Sequence, residues 1–203
     1  HTFDLPIHFK GQLIETSLDF RHATERLEPM GAQAGYQHLW KTAESVTVLS
    51  GALSDLSVLV NDQFYTMSFA ASRDAKAFLT RLGANDPDNN LRNEQALIVR
   101  ANGNASTFVT VYERHGRYDN DEEVTVFSGS SIEGIELDEQ GGAKIVTLRL
   151  RTGELVRIFV SDNEDESARH RLSLETITYE WQGPVGVFSS DSDQSENNNP
   201  REE

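Results

Sequence analysis

The chain has 203 residues, no cysteine and a formal net charge of −15, from 33 Asp and Glu against 18 Lys and Arg. The lack of cysteine excludes disulfides, thiolate zinc sites and cysteine nucleophiles. The acidic balance argues against nucleic acid and anionic membranes as partners, because both attract cationic surfaces.

The predicted elements are almost all β-strands, because apolar and polar residues alternate along most of the chain. The chain opens directly on such a run, at residues 1–10, and we expect it to be a piece cut from a longer polypeptide. Further strands are predicted at residues 7–18, 37–49, 56–60, 64–71, 77–82, 123–127, 131–137, 172–181 and 185–189.

Turn residues predict two β-hairpins. In the first, residues 96–100 and 107–113 are joined through Asn102-Gly103, a pair typical of tight turns. In the second, residues 145–150 and 155–160 are joined by a turn in which Gly153 supplies the positive φ that the turn requires.

About a dozen short strands without a long helix predict an all-β fold, an antiparallel β-sandwich over residues 1–190. Residues 191–203 contain no apolar side chain, and we expect an acidic, disordered tail there. No apolar run approaches the roughly 18 residues of a membrane-spanning helix, so the sequence predicts no membrane partner.

The six histidines do not show the spacing of a metal site. None belongs to a His-x-x-x-His pair, and His1 and His8 fall on opposite faces of one predicted strand. We therefore expect no metal bound wholly within this chain. The sequence also contains no nucleophile elbow, phosphate loop or dinucleotide fingerprint.

Three stretches concentrate polar residues among the strands, at residues 35–41, 81–92 and 107–116. Each has a structural explanation beside a functional one. Tyr36 and Trp40 can be core residues whose rings are buried and whose polar O–H and N–H groups make hydrogen bonds. Glu113 and His115 suit a hydrogen bond at a strand end.

The same stretches, in this order, resemble the C-terminal region of family 17 polysaccharide lyases, the exo-acting oligoalginate lyases of the heparinase II/III-like group. The resemblance rests on His1-Thr-Phe-Asp-Leu-Pro-Ile-His-Phe-Lys-Gly11, Gly35-Tyr-Gln-His-Leu-Trp40, Arg81-Leu-Gly-Ala-Asn-Asp-Pro87 with Asn90-Leu-Arg92, and Thr107-Phe-Val-Thr-Val-Tyr-Glu-Arg-His-Gly116. Four matches in order cover residues 1 to about 116.

The resemblance implies a parent enzyme that cleaves 1,4-linked uronates, as in alginate, by β-elimination. It implies an N-terminal α/α toroid as the partner of this β-domain, with the catalytic residues mainly on the toroid. It also implies a zinc site in the parent upstream of residue 1, and no cofactor in this fragment. We expect the parent to be periplasmic or secreted. The sequence does not decide whether the parent forms a homodimer.

No stretch of the chain matches the family's catalytic motifs, so we assign no catalytic residue and expect the fragment alone to be inactive. We expect it to support the cleft and to contribute polar side chains to its rim. The candidate substrate-binding residues are His38, Arg81, Asn85, Arg92, Glu113 and His115. Arginine can bind a uronate carboxylate through two parallel hydrogen bonds.

Two other functions are compatible with a small β-protein. A free-standing carbohydrate-binding module would expose aromatic residues on one sheet face, whereas most aromatic residues here fall on positions that alternate like a core. A complete small lyase would need an acid–base pair, for which His115 with Tyr112 or Tyr118 is the candidate.

Overall fold

The computed structural model describes residues 1–23, 27–46, 53–72, 74–82 and 94–190, and these form seventeen β-strands and one 3₁₀ turn, Tyr36–His38. In chain order the strands are β1 (Thr2–Phe9), β2 (Gln12–Thr16), β3 (Phe20–His22), β4 (Glu28–Pro29), β5 (Leu39–Ser45), β6 (Ser54–Val60), β7 (Gln63–Ala71), β8 (Ala75–Leu82), β9 (Glu94–Asn102), β10 (Phe108–Asp119), β11 (Val124–Val126), β12 (Ile132–Gln140), β13 (Ala143–Leu150), β14 (Leu155–Ser161), β15 (Arg169–Leu174), β16 (Ile177–Gln182) and β17 (Val185–Ser189). All their pairings are antiparallel. The predicted all-β antiparallel fold is confirmed.

The chain forms two compact units, His1–Ser130 and Ser131–Glu203. The boundary lies inside the range that the sequence predicts as one sandwich. The predicted tail, residues 191–203, lies outside the described residues.

The first unit is a sandwich of two sheets. One sheet has the strand order β1-β9-β8-β5-β3, with β4 also paired to β5, and the other has the order β11-β10-β7-β6-β2. Alternate side chains from both sheets meet in one buried core, among them Ile7, Leu97 and Leu79 from the first sheet and Leu56 and Phe69 from the second. The period-two pattern of the sequence is therefore explained by burial between the sheets.

The second unit has a four-stranded sheet, β12-β13-β14-β17, and the β15–β16 hairpin. Ile145 and Phe159 of the sheet share a core with Leu172 and Tyr179 of the hairpin. The predicted hairpin over residues 145–160 is confirmed as β13–β14, and Gly153 in its turn has φ +88°.

Three predictions about individual strands are wrong. Residues 96–113 do not form a hairpin, because β9 pairs with β1 and β8 whereas β10 pairs with β7 in the other sheet. The predicted strand 7–18 is two strands in different sheets, separated by Gly11 at φ +92°. The predicted strand 172–181 is interrupted by a turn, where Glu175 adopts φ +54°.

Candidate functional site

A polar cluster lies on the face of β10 that points away from the sandwich core. Cross-strand partners in a ladder share a face of the sheet. His115 is opposite Phe64 and Glu113 is opposite Thr66, whereas the alternate β7 residue Met67 belongs to the core between the sheets. Two predicted site residues, Glu113 and His115, are thus neighbours on one surface.

Both ring nitrogens of His115 have partners in the chain. Nδ1 lies 2.9 Å from the carbonyl oxygen of Phe127, and Nε2 lies 2.8 Å from the hydroxyl of Thr66. The ring is stacked on Phe64, with centroids 6.2 Å apart and planes 10° apart. These contacts fix the imidazole in position and orientation.

The hydrogen bonds also define the tautomer of a neutral His115. A carbonyl oxygen only accepts, so Nδ1 must carry the proton, and Nε2 accepts from the Thr66 hydroxyl. Thr66 in turn accepts from the hydroxyl of Ser57, 2.7 Å away. Thr66 is fully buried, and burying its hydroxyl without a hydrogen-bond partner would destabilise the fold. The network supplies those partners.

Glu113 is half-buried and accepts a hydrogen bond of 2.6 Å from the hydroxyl of Ser130. This bond ties β10 to the segment that follows β11. Tyr112, by contrast, points to the other face of β10 and is exposed. Neither Tyr112 nor Tyr118 is hydrogen-bonded to His115, whose two nitrogens are already engaged.

The other predicted residues lie elsewhere. His38 ends the 3₁₀ turn and is exposed, and Arg81 is exposed on β8 opposite Trp40. Arg81 belongs to the sheet that does not contain Glu113 and His115, and His38 directly precedes β5 of that sheet. Asn85 and Arg92 lie outside the described residues.

A second polar cluster, which the sequence did not predict, surrounds Asp4. Asp4 on β1 is opposite Arg100 on β9, and the guanidinium donates two hydrogen bonds of 2.7 Å to the carboxylate. Tyr36 also donates to Asp4. The Arg100 guanidinium lies 5.9 Å from the ring centroid of Tyr36 and 5.6 Å from that of Phe78.

The contacts around Asp4 shift three pKa values. Burial acts to raise the pKa of the Asp4 carboxyl, but the hydrogen bonds from Arg100 and Tyr36 outweigh burial and lower it. The hydrogen bond to Asp4 raises the pKa of the Tyr36 hydroxyl, and a hydrogen bond to Asp4 also raises that of Arg100. The cluster therefore favours an ionised pair joined by a neutral tyrosine.

A cleft of about 260 Å³ lies beside this cluster, lined by Asp74, Ala75, Lys76, Phe78, Arg100 and Asn102. Its two cations are already paired, Arg100 with Asp4 and Lys76 with Glu44 at 2.6 Å. An anionic ligand there would have to compete with these carboxylates.

A larger, open cleft of about 470 Å³ lies on the β15–β16 hairpin of the second unit. Its lining residues are Arg169, His170, Arg171, Glu180, Trp181 and Gln182. Sequence reasoning missed this cleft, although Arg169-His-Arg171 is a cationic run in a strongly acidic chain.

Two curated proteins are similar to the chain over most of its length. It is 35% identical over 182 residues to an alginate lyase of Stenotrophomonas maltophilia (strain K279a), which covers 89% of the chain and 24% of that lyase. It is 32% identical over 186 residues to an exo-oligoalginate lyase of Saccharophagus degradans, which covers 90% of the chain and 25% of that lyase. The resemblance to oligoalginate lyases is confirmed. The chain spans about a quarter of each of these relatives, and no family model matches it.

The stretches that resemble oligoalginate lyases have clear structural roles. Asp4 of the first stretch and Tyr36 of the second meet at Arg100. The fourth stretch forms most of β10 and includes Glu113 and His115, which bind Ser130 and Phe127. The lyase-like sequence therefore connects elements within the first unit.

No group of three His, Asp or Glu side chains in the described ranges is arranged to hold a metal ion. Among those same residues, no helix is long and apolar enough to cross a bilayer.

Proposed function

We propose that the chain is the C-terminal β-region of an oligoalginate lyase, and that it supports the cleft in which an N-terminal α/α toroid cleaves 1,4-linked uronates by β-elimination. The observation that carries the proposal is the extent of the similarity. About nine-tenths of the chain is similar to two alginate lyases, yet this region makes up only a quarter of each.

The chemistry of β-elimination supports a division of labour. The sugar carboxylate must be neutralised, a base must remove the C5 proton, and an acid must protonate the leaving oxygen. His115, in the polar cluster on β10, has both ring nitrogens bonded to its own chain. A histidine bonded in this way is better suited to holding β10 in place than to transferring a proton during the reaction.

We propose His38 and Arg81 as the residues that meet the substrate at the cleft rim. Both are exposed; His38 belongs to the second lyase-like stretch, and Arg81 is the first residue of the third. The −15 net charge of the chain repels a polyuronate at long range, so a local cation is needed where the two approach each other. Arginine meets this need because its planar fork matches a carboxylate.

The same proposal includes a periplasmic or secreted parent, a zinc site upstream of residue 1, and asparagine, glutamine, tyrosine and histidine of the toroid as the catalytic groups. The described residues include no group of three His, Asp or Glu side chains that could hold this zinc.

The test is to incubate the 203-residue chain and the full-length parent with alginate oligomers and to follow absorbance of the unsaturated uronate product. We expect the parent to be active and the chain alone to be inactive. Cleavage by the chain alone would contradict the proposal and favour a complete small lyase. A full-length parent that binds alginate without cleaving it would contradict it in favour of a carbohydrate-binding protein.

A further inference from the structure

The β15–β16 hairpin has two chemically different faces. Residues on a strand alternate between faces, and cross-strand partners share one. The register pairs Arg169 with Gln182 and Arg171 with Glu180, so these four side chains lie on one face. The intervening pair, His170 and Trp181, lies on the other.

The face with His170 and Trp181 fixes the hairpin to its sheet. The indole of Trp181 stacks with the imidazole of His170 and with Phe159, each at 5.0 Å between centroids. Gly186 on β17 lies so close that a Cβ there would stand 2.7 Å from Cγ of Trp181. The four polar side chains on the opposite face are therefore carried by a backbone that is held in place, which reduces the cost of ordering them around a ligand.

The two arginines on the polar face are only weakly neutralised by acidic side chains of the chain itself. Arg171 approaches Glu180 at 3.4 Å, but both side chains are mostly exposed, and such surface pairs contribute little. Arg169 has no acidic partner within salt-bridge distance among the residues that the structure describes. In a chain with a net charge of −15, this face is a place where an anion can bind.

We propose that this face of the hairpin is a binding site for an acidic oligosaccharide. Arg169 and Arg171 stand about 7 Å apart along the strand, and each binds a uronate carboxylate through its guanidinium fork. Gln182 and Glu180 accept hydrogen bonds from sugar hydroxyls, and Gln182 also donates. The identity of the sugar as alginate rests on the proposed function.

The presence of Glu180 selects a sugar over a phosphate-rich ligand. A carboxylate among the arginines repels a ligand that carries only acceptors and negative charge. A uronate chain carries hydroxyl donors between its carboxylates, so it can satisfy the arginines and Glu180 together. These four polar residues are among the six that line the 470 Å³ cleft.

The test is isothermal titration calorimetry of the 203-residue chain with a mannuronate or guluronate tetramer. We expect binding that weakens as salt is raised. Arg169→Gln and Arg171→Gln are each expected to weaken it about tenfold, the loss of one charged hydrogen-bonded contact.

The matched control is Arg149→Gln. Arg149 lies in the same unit on β13, pairs with Glu136 at 2.6 Å and contributes the same charge, so its loss should change affinity less than about twofold. A neutral cellotetraose should not compete. Circular dichroism of each variant separates lost binding from lost folding.

Failure of tetramer binding by the folded wild-type chain would overturn the site, as would equal loss in the Arg149→Gln control or equal binding of cellotetraose. None of these results tests the proposed function, which is judged by whether the full-length parent cleaves alginate oligomers. Conversely, cleavage of longer alginate by the chain alone would overturn the proposed function while leaving the hairpin site in place.

Discussion

Asp4 and Arg100 join the first and ninth strands through two parallel hydrogen bonds of 2.7 Å. The Asp4 side chain is only 6% exposed, whereas the Arg100 side chain is 24% exposed and its guanidinium lies near two aromatic rings. The pair lies between strands 96 residues apart in sequence. The ion pair therefore helps to hold the N-terminal strand β1 against β9 at the edge of its sheet.

Asp4→Asn should destabilise the first unit by about 2 kcal/mol at pH 7, because it replaces a charged, bidentate acceptor beside a half-buried arginine. The folded-state pKa of Asp4 lies below the ordinary value of about 3.9. Its stabilising contribution is thus complete above pH 4 and is lost as the pH falls through the folded-state pKa. Urea unfolding at pH 7 and pH 3 should show a smaller difference between wild type and Asp4→Asn at the lower pH.

The control for this prediction is Tyr36→Phe, which removes one hydrogen bond to Asp4 and keeps the ion pair. It should cost about 1 kcal/mol. Of the two tryptophans, Trp40 lies in the first unit and Trp181 in the second. In a Trp181→Phe background, tryptophan fluorescence therefore reports on the first unit alone. A difference between wild type and Asp4→Asn that stays constant from pH 7 to pH 3 would refute the ionic role of Asp4.

The hydroxyl of Thr66 should matter more than its methyl group. Thr66→Val keeps the shape but leaves Nε2 of His115 and the hydroxyl of Ser57 without their partner, and we expect a loss of about 2 kcal/mol. Thr66→Ser keeps the hydroxyl, loses one methyl group and should cost about 1 kcal/mol. Chemical denaturation followed by Trp40 fluorescence measures both; a larger loss in Thr66→Ser would mean that packing, not the network, requires threonine.

Local patterns in the sequence predicted local structure well. The alternation at residues 64–71 and the turn at Gly153 correspond to β7 and to the β13–β14 hairpin, because each depends only on side chains and turns close together in the chain. The Asn102-Gly103 signal was equally local, but β9 already has partners on both edges, in β1 and β8. A turn signal cannot show that both edges of a strand are occupied.

The polar clusters were only partly predictable for the same reason. Glu113 and His115 stood out because they are two residues apart on one strand, and the structure places them on one face. Thr66 is 49 residues from His115, and Asp4 is 96 residues from Arg100. Their partnership follows from strand order, which an isolated sequence does not contain.

In the full-length parent, Arg81→Ala should raise the KM for oligoalginate about tenfold and leave kcat within twofold, if the exposed guanidinium binds a substrate carboxylate. Arg117→Ala is the matched control, since Arg117 is also exposed on a strand but pairs with Asp119 at 3.5 Å. Initial rates over a range of trimer concentrations separate the two constants. An unchanged KM with a lower melting temperature would assign Arg81 a structural role instead.

Gly11→Ala should be more damaging than Gly153→Ala, although the two glycines have nearly the same backbone conformation. Gly11 has φ +92°, and a Cβ there would collide with the backbone carbonyl of Leu59, which cannot move without disturbing β6. Gly153 has nearly the same φ, +88°, but no atom lies within 4 Å of where its Cβ would be. Gly153→Ala should therefore show only the conformational cost, about 1 kcal/mol, and Gly11→Ala about 2 kcal/mol or more beyond that. Gly11 lies where the chain passes from one sheet to the other. Equal melting temperatures for the two variants would mean that the β1–β2 connection can rearrange to accept a side chain. In that case the connection does not fix the position of the N-terminal strand.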